Sequence, residues 1–184
     1  MQPDMCKEIQ EKTIKLKTAT AADLTALATM AGKLFREAFT GQMPEEDLLE
    51  YVSHAFKPEI FLEEWKKETI TFIIAMYGEE WAGYAKLNTS NRIERADVHH
   101  YIELERLYLF KEFHGLKLGA ALMDYCLQFA TAKNFRELWL NVWERNTKAI
   151  AFYLSYDFEM VDRSIMMRGN DAQVALWMKK QLPG

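Results

Sequence analysis

Between Glu103 and Ala121 the chain carries an apolar run, Leu104 to Phe110, then a short basic turn, Lys111 to Lys117, then residues at helical spacing from Leu118 onward. An apolar run of strand length that gives way to helical periodicity makes this a strand-to-helix corner. The first N–H groups of a helix have no partner inside it, and the helix dipole puts partial positive charge at that end, so an anion such as a phosphate fits there. Gly115 and Gly119 leave the main chain open to a ligand. The same glycines also suit a plain connection, and the corner alone does not choose between the two uses.

The elements that hold this corner follow from periodicity. Ile14 and Leu16 alternate with lysines over Thr13 to Lys17, which suits an edge strand. Thr20 with Asp23 three residues on reads as a helix start, and Leu24, Leu27, Ala28, Ala31 and Leu34 extend an apolar stripe over a helix from Ala21 to Phe39. A second helix runs from Pro44 until Pro58 stops it, and a further one covers Phe61 to Lys67. Residues 71–77 and 81–88 flank Gly78-Glu79-Glu80 and form an antiparallel hairpin. Thr89 to His100 is polar, without period, and reads as a loop. After the central strand come a long helix, Leu118 to Lys133, a strand, Glu137 to Trp143, a helix, Thr147 to Ser155, and two strands around Gly169-Asn170-Asp171. The pattern is that of an α/β domain with a central sheet.

Composition sets bounds on function. The 184 residues suffice for one domain with a sizeable core, and 49% hydrophobic with 27% charged residues is the balance of a soluble globular protein. A net charge of −4 argues against nucleic acid or an anionic membrane as partner. Cys6 and Cys126 lack metal-ligand spacing and read as reduced thiols. No apolar run approaches the ~20 residues of a membrane span, and residues 1–12 read as a flexible polar tail without a signal-peptide core. A cytoplasmic location is the expectation.

Three stretches together, LERLYL, HGLKLGAALM and LNVWERNTKAIAFYLSYDF, resemble the core of the GNAT acetyltransferases. The family pattern is a strand, a Q/R-x-x-G-x-G/A loop, a second strand and N-x-x-A-x-x-F-Y-x-x-x-G-F. Trp81 to Ala85 resembles the family's G-Y-A strand, and Ile14 to Leu16 with Thr20 to Leu27 resembles its first strand and helix, so the likeness covers most of the chain. Within the family, residues 142–146 and the segment Arg168 to Leu182 resemble the PaiA-like polyamine acetyltransferases.

The resemblance implies a single domain over residues 13–182, with a mixed central sheet, a splayed strand pair and flanking helices. It implies acetyl-CoA as cosubstrate and no metal. By position, main-chain groups of Leu107, Tyr108 and Leu109 would bind the pantetheine arm as an added strand does. The loop places His114 at the Q/R position, Gly115 and Leu116 at the variable positions, Lys117 at the first glycine, Leu118 next and Gly119 at the final G/A, with Ala120 following. His114 and Lys117 depart from the pattern, and Lys117 needs a helical or nearly helical backbone to be accepted there. Asn146 reads as the cap of its helix and, by resemblance, as a pantetheine ligand, with Asn141 and Lys148 also assigned to the cofactor site.

Tyr153 holds the family's F-Y position and would protonate the departing CoA sulfur, its alternative being a core tyrosine, a role for which Tyr156 is the better fit. Glu105 is the candidate general base on the central strand, against the alternative of a solvated carboxylate. The Leu109 N–H would steady the developing oxyanion. The implied acceptor is a small primary amine. Glu45, Glu46, Asp47, Glu50, Glu59, Glu63 and Glu64 would suit a polyamine if they line the cleft, and are otherwise a solvated face. A protein or peptide amine, and a silent CoA-binding module, remain the alternatives. Homodimers are common in the family, and no stretch here fixes an interface.

Overall fold

The computed structural model describes residues 13–90, 100–168 and 171–183. The expected tail, most of the loop before the central strand and the first two residues of the C-terminal turn lie outside the described residues. In chain order the elements are β1 (Ile14–Thr18), α1 (Leu24–Phe39), α2 (Glu45–Ala55), α3 (Pro58–Trp65), β2 (Ile70–Tyr77), β3 (Glu80–Asn88), β4 (Tyr101–Leu109), α4 (Leu118–Ala132), β5 (Glu137–Trp143), α5 (Thr147–Ser155), β6 (Glu159–Arg168) and β7 (Asp171–Gln181). The strands form one seven-stranded sheet in the order β1-β2-β3-β4-β5-β7-β6. Only the β4–β5 pair is parallel, so the sheet is mixed.

Helices cover both faces. Along β2, Phe72 and Ile74 turn to one side and Ile73 and Ala75 to the other, all fully buried, because successive side chains of a strand alternate. The Phe72 side packs against α1 and α3, where Leu24, Leu27, Ala28, Ala31 and Leu34 are buried as their spacing requires and Phe61 stacks on Phe72 at 5.1 Å. Each fully buried leucine in such a stripe contributes about 1.5–3 kcal/mol. The Ile73 side packs against α4, through Leu118, Leu122, Met123 and Cys126, and against α5 through Tyr153.

Several boundaries differ from expectation for local reasons. The first turn of the first helix is a 3-10 turn, Ala21–Asp23, whose Asp23 carboxylate accepts from the Thr20 N–H and hydroxyl at 2.9 and 2.8 Å. Pro58 does not merely stop α2 but opens α3, since a proline has no N–H to lose at a helix's first position. The central strand starts at Tyr101, three residues before its apolar run, because Tyr101 to Leu104 are held by β5. Asp157, at the glycine position of the family pattern, takes a left-handed conformation with φ 59°.

Candidate active site

The site is built on the way β4 divides its pairing. Toward β5 it is paired only through four residues, Tyr101 to Leu104 against Glu137 to Leu140. Beyond that rung the two strands part. Toward β3 it stays paired through Leu109, but with a slip: Leu87 faces Leu104 while Lys86 faces Arg106, so Glu105 is the extra residue of a β-bulge. The bulge reverses the alternation downstream. Leu107 and Leu109 therefore join Leu104 against the α4-side core, and Arg106 and Tyr108 turn to the α1–α3 side.

The main chain of this segment follows a two-residue rhythm. Phe110 N–H donates to the Ala82 carbonyl at 3.0 Å, and the Tyr108 carbonyl lies directly against Gly83, leaving no space for a side chain there. Residues whose polar groups face β3 alternate with residues whose groups face away. Leu107 thus presents N–H and C=O toward the parted strand, and Leu109 its N–H, the Leu109 carbonyl being taken by the turn that follows. Tyr108, expected to offer its main chain as well, directs it to β3 and contributes a half-buried phenol on the opposite side of the sheet.

The turn after β4 brings the start of α4 to the mouth of this gap. A short 3-10 turn, Lys111–Phe113, is pinned by buried Phe113 and by Lys111 N–H donating to Glu37 at 2.9 Å. His114 does not reach outward: its Nε2 donates to the Leu109 carbonyl at 3.2 Å and ties the turn to the strand end. Gly115 (φ 81°) and Lys117 (φ 63°) are both left-handed, so Lys117 keeps the backbone shape a glycine would give and leaves its ammonium exposed. Its backbone is helical, as the position requires, but of the left hand. The first bond of α4 is Ala121 N–H to the Lys117 carbonyl at 2.9 Å, which leaves the N–H groups of Leu118, Gly119 and Ala120 without a helical partner. Leu118 is buried, Leu116 is exposed, and a Cβ on Gly119 would lie 3.5 Å from the Leu109 side chain.

Across the gap, the Asn146 side chain caps α5 by accepting from Ala149 N–H at 3.2 Å, and Lys148 is exposed on its first turn. Asn141 lies just past the last β4–β5 rung and donates to Ser164 at 3.4 Å. Of the two tyrosines of α5, Tyr153 is the buried one, and Tyr156, the expected core tyrosine, is not. Tyr156 is half exposed and its hydroxyl donates to Asp124 and the Ala120 carbonyl, at 3.0 and 3.2 Å, locking α5 to α4. Tyr153 is buried against Phe158, and burial pushes its phenol well above the usual tyrosine value, with Tyr108 and Cys126 nearby adding to the shift.

On the α1–α3 side, Glu105 is neither solvated nor alone. Its carboxylate takes Lys86 Nζ at 2.6 Å and Asn88 Nδ2 at 2.7 Å, and the same lysine meets Glu64 at 2.6 Å. Lys86 and Asn88 are buried beneath it. Next to this cluster the Arg106 guanidinium lies 4.9 Å over the Phe56 ring, beside Tyr84, Tyr108 and Tyr51. Lys86, Tyr84 and Arg106 were not singled out from the sequence. The leucine spacing in LERLYL, three residues and then two, is the trace of the bulge that turns Arg106 inward.

A left-handed turn, three N–H groups without helical partners and the outward main-chain groups of Leu107 and Leu109 suit a diphosphate with an extended amide-bearing arm, which is the chemistry of coenzyme A. Comparison with known proteins agrees. The sequence model described as Acetyltransferase (GNAT) family matches residues 33–158, more than half of the chain. The chain belongs to the GNAT acetyltransferase family and is an acetyl-CoA-dependent N-acetyltransferase. An N-acetyltransferase of the pepI 3′ region in Lactobacillus delbrueckii subsp. lactis is 25% identical over 169 residues, covering 92% of this chain and 98% of that protein. The PaiA N-acetyltransferase of Thermoplasma acidophilum, solved with coenzyme A, has the same fold at TM-score 0.73 and 21% identity, over 92% of this chain and 99% of that one. The ribosomal-protein-alanine N-acetyltransferase of Brucella melitensis shares it at TM-score 0.68 and 20% identity, over 91% and 99%.

Proposed function

We propose that the protein transfers the acetyl group of acetyl-CoA directly to the primary amine of a small molecule, with both substrates held along the parted edge of β4. The observation that carries this reading is the end of β4–β5 pairing at Leu104 and Leu140, with the free N-terminus of α4 lying against Leu109 at the far end of the parted segment. Acetyl-CoA supplies an activated thioester. The N–H groups of Leu118 to Ala120, with Lys117 and Lys148, hold its diphosphate. Leu107, Leu109, Asn141 and Asn146 align its amide arm, and His114 fixes the end of the strand that does so.

Tyr153 keeps its proton in the buried site and delivers it to the sulfur as the C–S bond breaks. Leu109 N–H steadies the oxygen of the acetyl group. Glu105, held by Lys86 and Asn88, stands on the acceptor side as the group that takes the amine's proton, directly or through water. Cys126 is buried, its thiol pushed up to about 12 by that burial, and takes no part as a nucleophile.

A polyamine is the finer acceptor reading, drawn from the PaiA-like tail. Of the acidic residues that would serve it, Glu45, Glu46, Glu50, Glu59 and Glu63 are exposed, Asp47 and Glu64 are half-buried, and Glu64 is already met by Lys86. The test is release of CoA thiol by the purified protein over a panel of spermidine, spermine, amino acids and a lysine peptide, with product masses. Acetylation of a small amine is the expected result. Turnover confined to the peptide would shift the acceptor to proteins, and bound acetyl-CoA without any turnover would make this a silent binding module.

A further inference from the structure

The charges on the acceptor side are unevenly matched. Lys86 has two carboxylates within 2.6 Å. Arg106, its neighbour across the β3–β4 pair, meets no carboxylate in an ion pair among the described residues, and the polar side chain that acts on it most is the phenol of Tyr84. Its surroundings are rings: Phe56 beneath it and the phenol of Tyr84 beside it. Both Arg106 Nη1 and the Tyr84 hydroxyl are fully covered and lack a hydrogen-bond partner, and Tyr84 as a whole is 0% exposed. Buried donors are nearly always partnered, and a covered guanidinium without a counter-charge destabilises a protein unless something else completes it. Glu64, near enough to Tyr84 to act on its phenol, gives its Oε1 to Lys86 and not to Arg106.

We infer that the acceptor amine carries an anionic oxygen group, a carboxylate in the first instance, and that Arg106 with Tyr84 receives it. This rests on the acetyltransferase reading and names its substrate class. Arginine presents five donors in a planar fork that fits a carboxylate or phosphate, and stacking on Phe56 fixes the plane of that fork. Arg106 directly follows Glu105, the group that takes the amine's proton in the proposed function. A molecule that puts its amine within reach of Glu105 and its anion on Arg106 therefore has the two groups a few bonds apart, as in an amino acid. The spaced ammonium groups of a polyamine would meet Arg106 as a like charge.

The experiment compares matched acceptors with the full chain and acetyl-CoA: glycine and glycinamide, β-alanine and its amide, phosphoethanolamine and ethanolamine, with spermidine alongside. Binding of the same pairs to the CoA complex by saturation-transfer NMR reads preference without turnover. Acids are expected to exceed their amides by at least about tenfold in kcat/KM or in binding. Preference for phosphoethanolamine over the amino acids would keep the anion site and assign it to a phosphate. Arg106→Met should erase the preference by raising KM, with kcat within about threefold and acetyl-CoA affinity unchanged, and Arg106→Lys should restore part of it. Amides equal to acids, or spermidine preferred over both, would overturn the inference while leaving an acetyltransferase. Absence of acetyl-CoA binding would instead overturn the reading on which it rests, and the inference with it.

Discussion

At the scale of single residues, Tyr153 and Lys117 are the sharpest tests. The Tyr153 hydroxyl has no hydrogen bond among the described residues, so it is dispensable for folding but, on this account, not for rate. Tyr153→Phe should lower kcat by at least about 100-fold with acetyl-CoA affinity unchanged. Its folded pKa is raised by burial, so the proton is present throughout neutral pH and kcat should show no fall from its ionisation below about pH 10. The same shift makes the neutral phenol stabilising below the unfolded value, a contribution lost as pH rises through the folded value. The stability of the wild type relative to Tyr153→Phe should therefore fall in denaturant titrations above about pH 10. Lys117 is a different case, an L-residue in a glycine conformation. Lys117→Val should lower stability by roughly 1–2 kcal/mol while Lys117→Gly does not. Both should weaken acetyl-CoA binding at low salt, and less at high salt, because the lost charge is exposed.

At the scale of elements, the bulge in β4 decides which charged side chains stand together. It places Glu105 and Arg106 on one side, and Lys86 holds the Glu105 and Glu64 carboxylates together at side-chain exposures of 5%, 9% and 21%. Lys86→Met leaves two half-buried carboxylates facing each other and should destabilise the fold by roughly 3–5 kcal/mol, read by urea denaturation, with Glu64→Gln in the same chain recovering part. Much of the element order was legible because periods of 2 and 3.6 alternate cleanly from β1 through α5. Less legible was whatever depends on a neighbour remote in sequence. The start of β4 at Tyr101 is set by β5, the opening of α3 at Pro58 by a position rather than a residue type, and the burial of Tyr153 over Tyr156 by the contact of α5 with α4. The site divides the same way. The glycine-bearing corner and Asn146 are local signals and could be read, whereas the Lys86 and Arg106 clusters arise only when β3 and β4 pair.

At the scale of the whole molecule, one sheet carries two chemistries on its two sides. On the proposed function, the α4–α5 side supplies anion-binding N–H groups and a buried proton donor, and the α1–α3 side the charged cluster that selects the amine. The two sides lie within electrostatic reach of each other at the parted strands, where Tyr108 adds to the upward shift of the Tyr153 phenol. The most direct test is a calorimetric titration of acetyl-CoA into the CoA-free protein. Saturable one-to-one binding in the micromolar range is the predicted result, and no heat at millimolar acetyl-CoA would contradict the account.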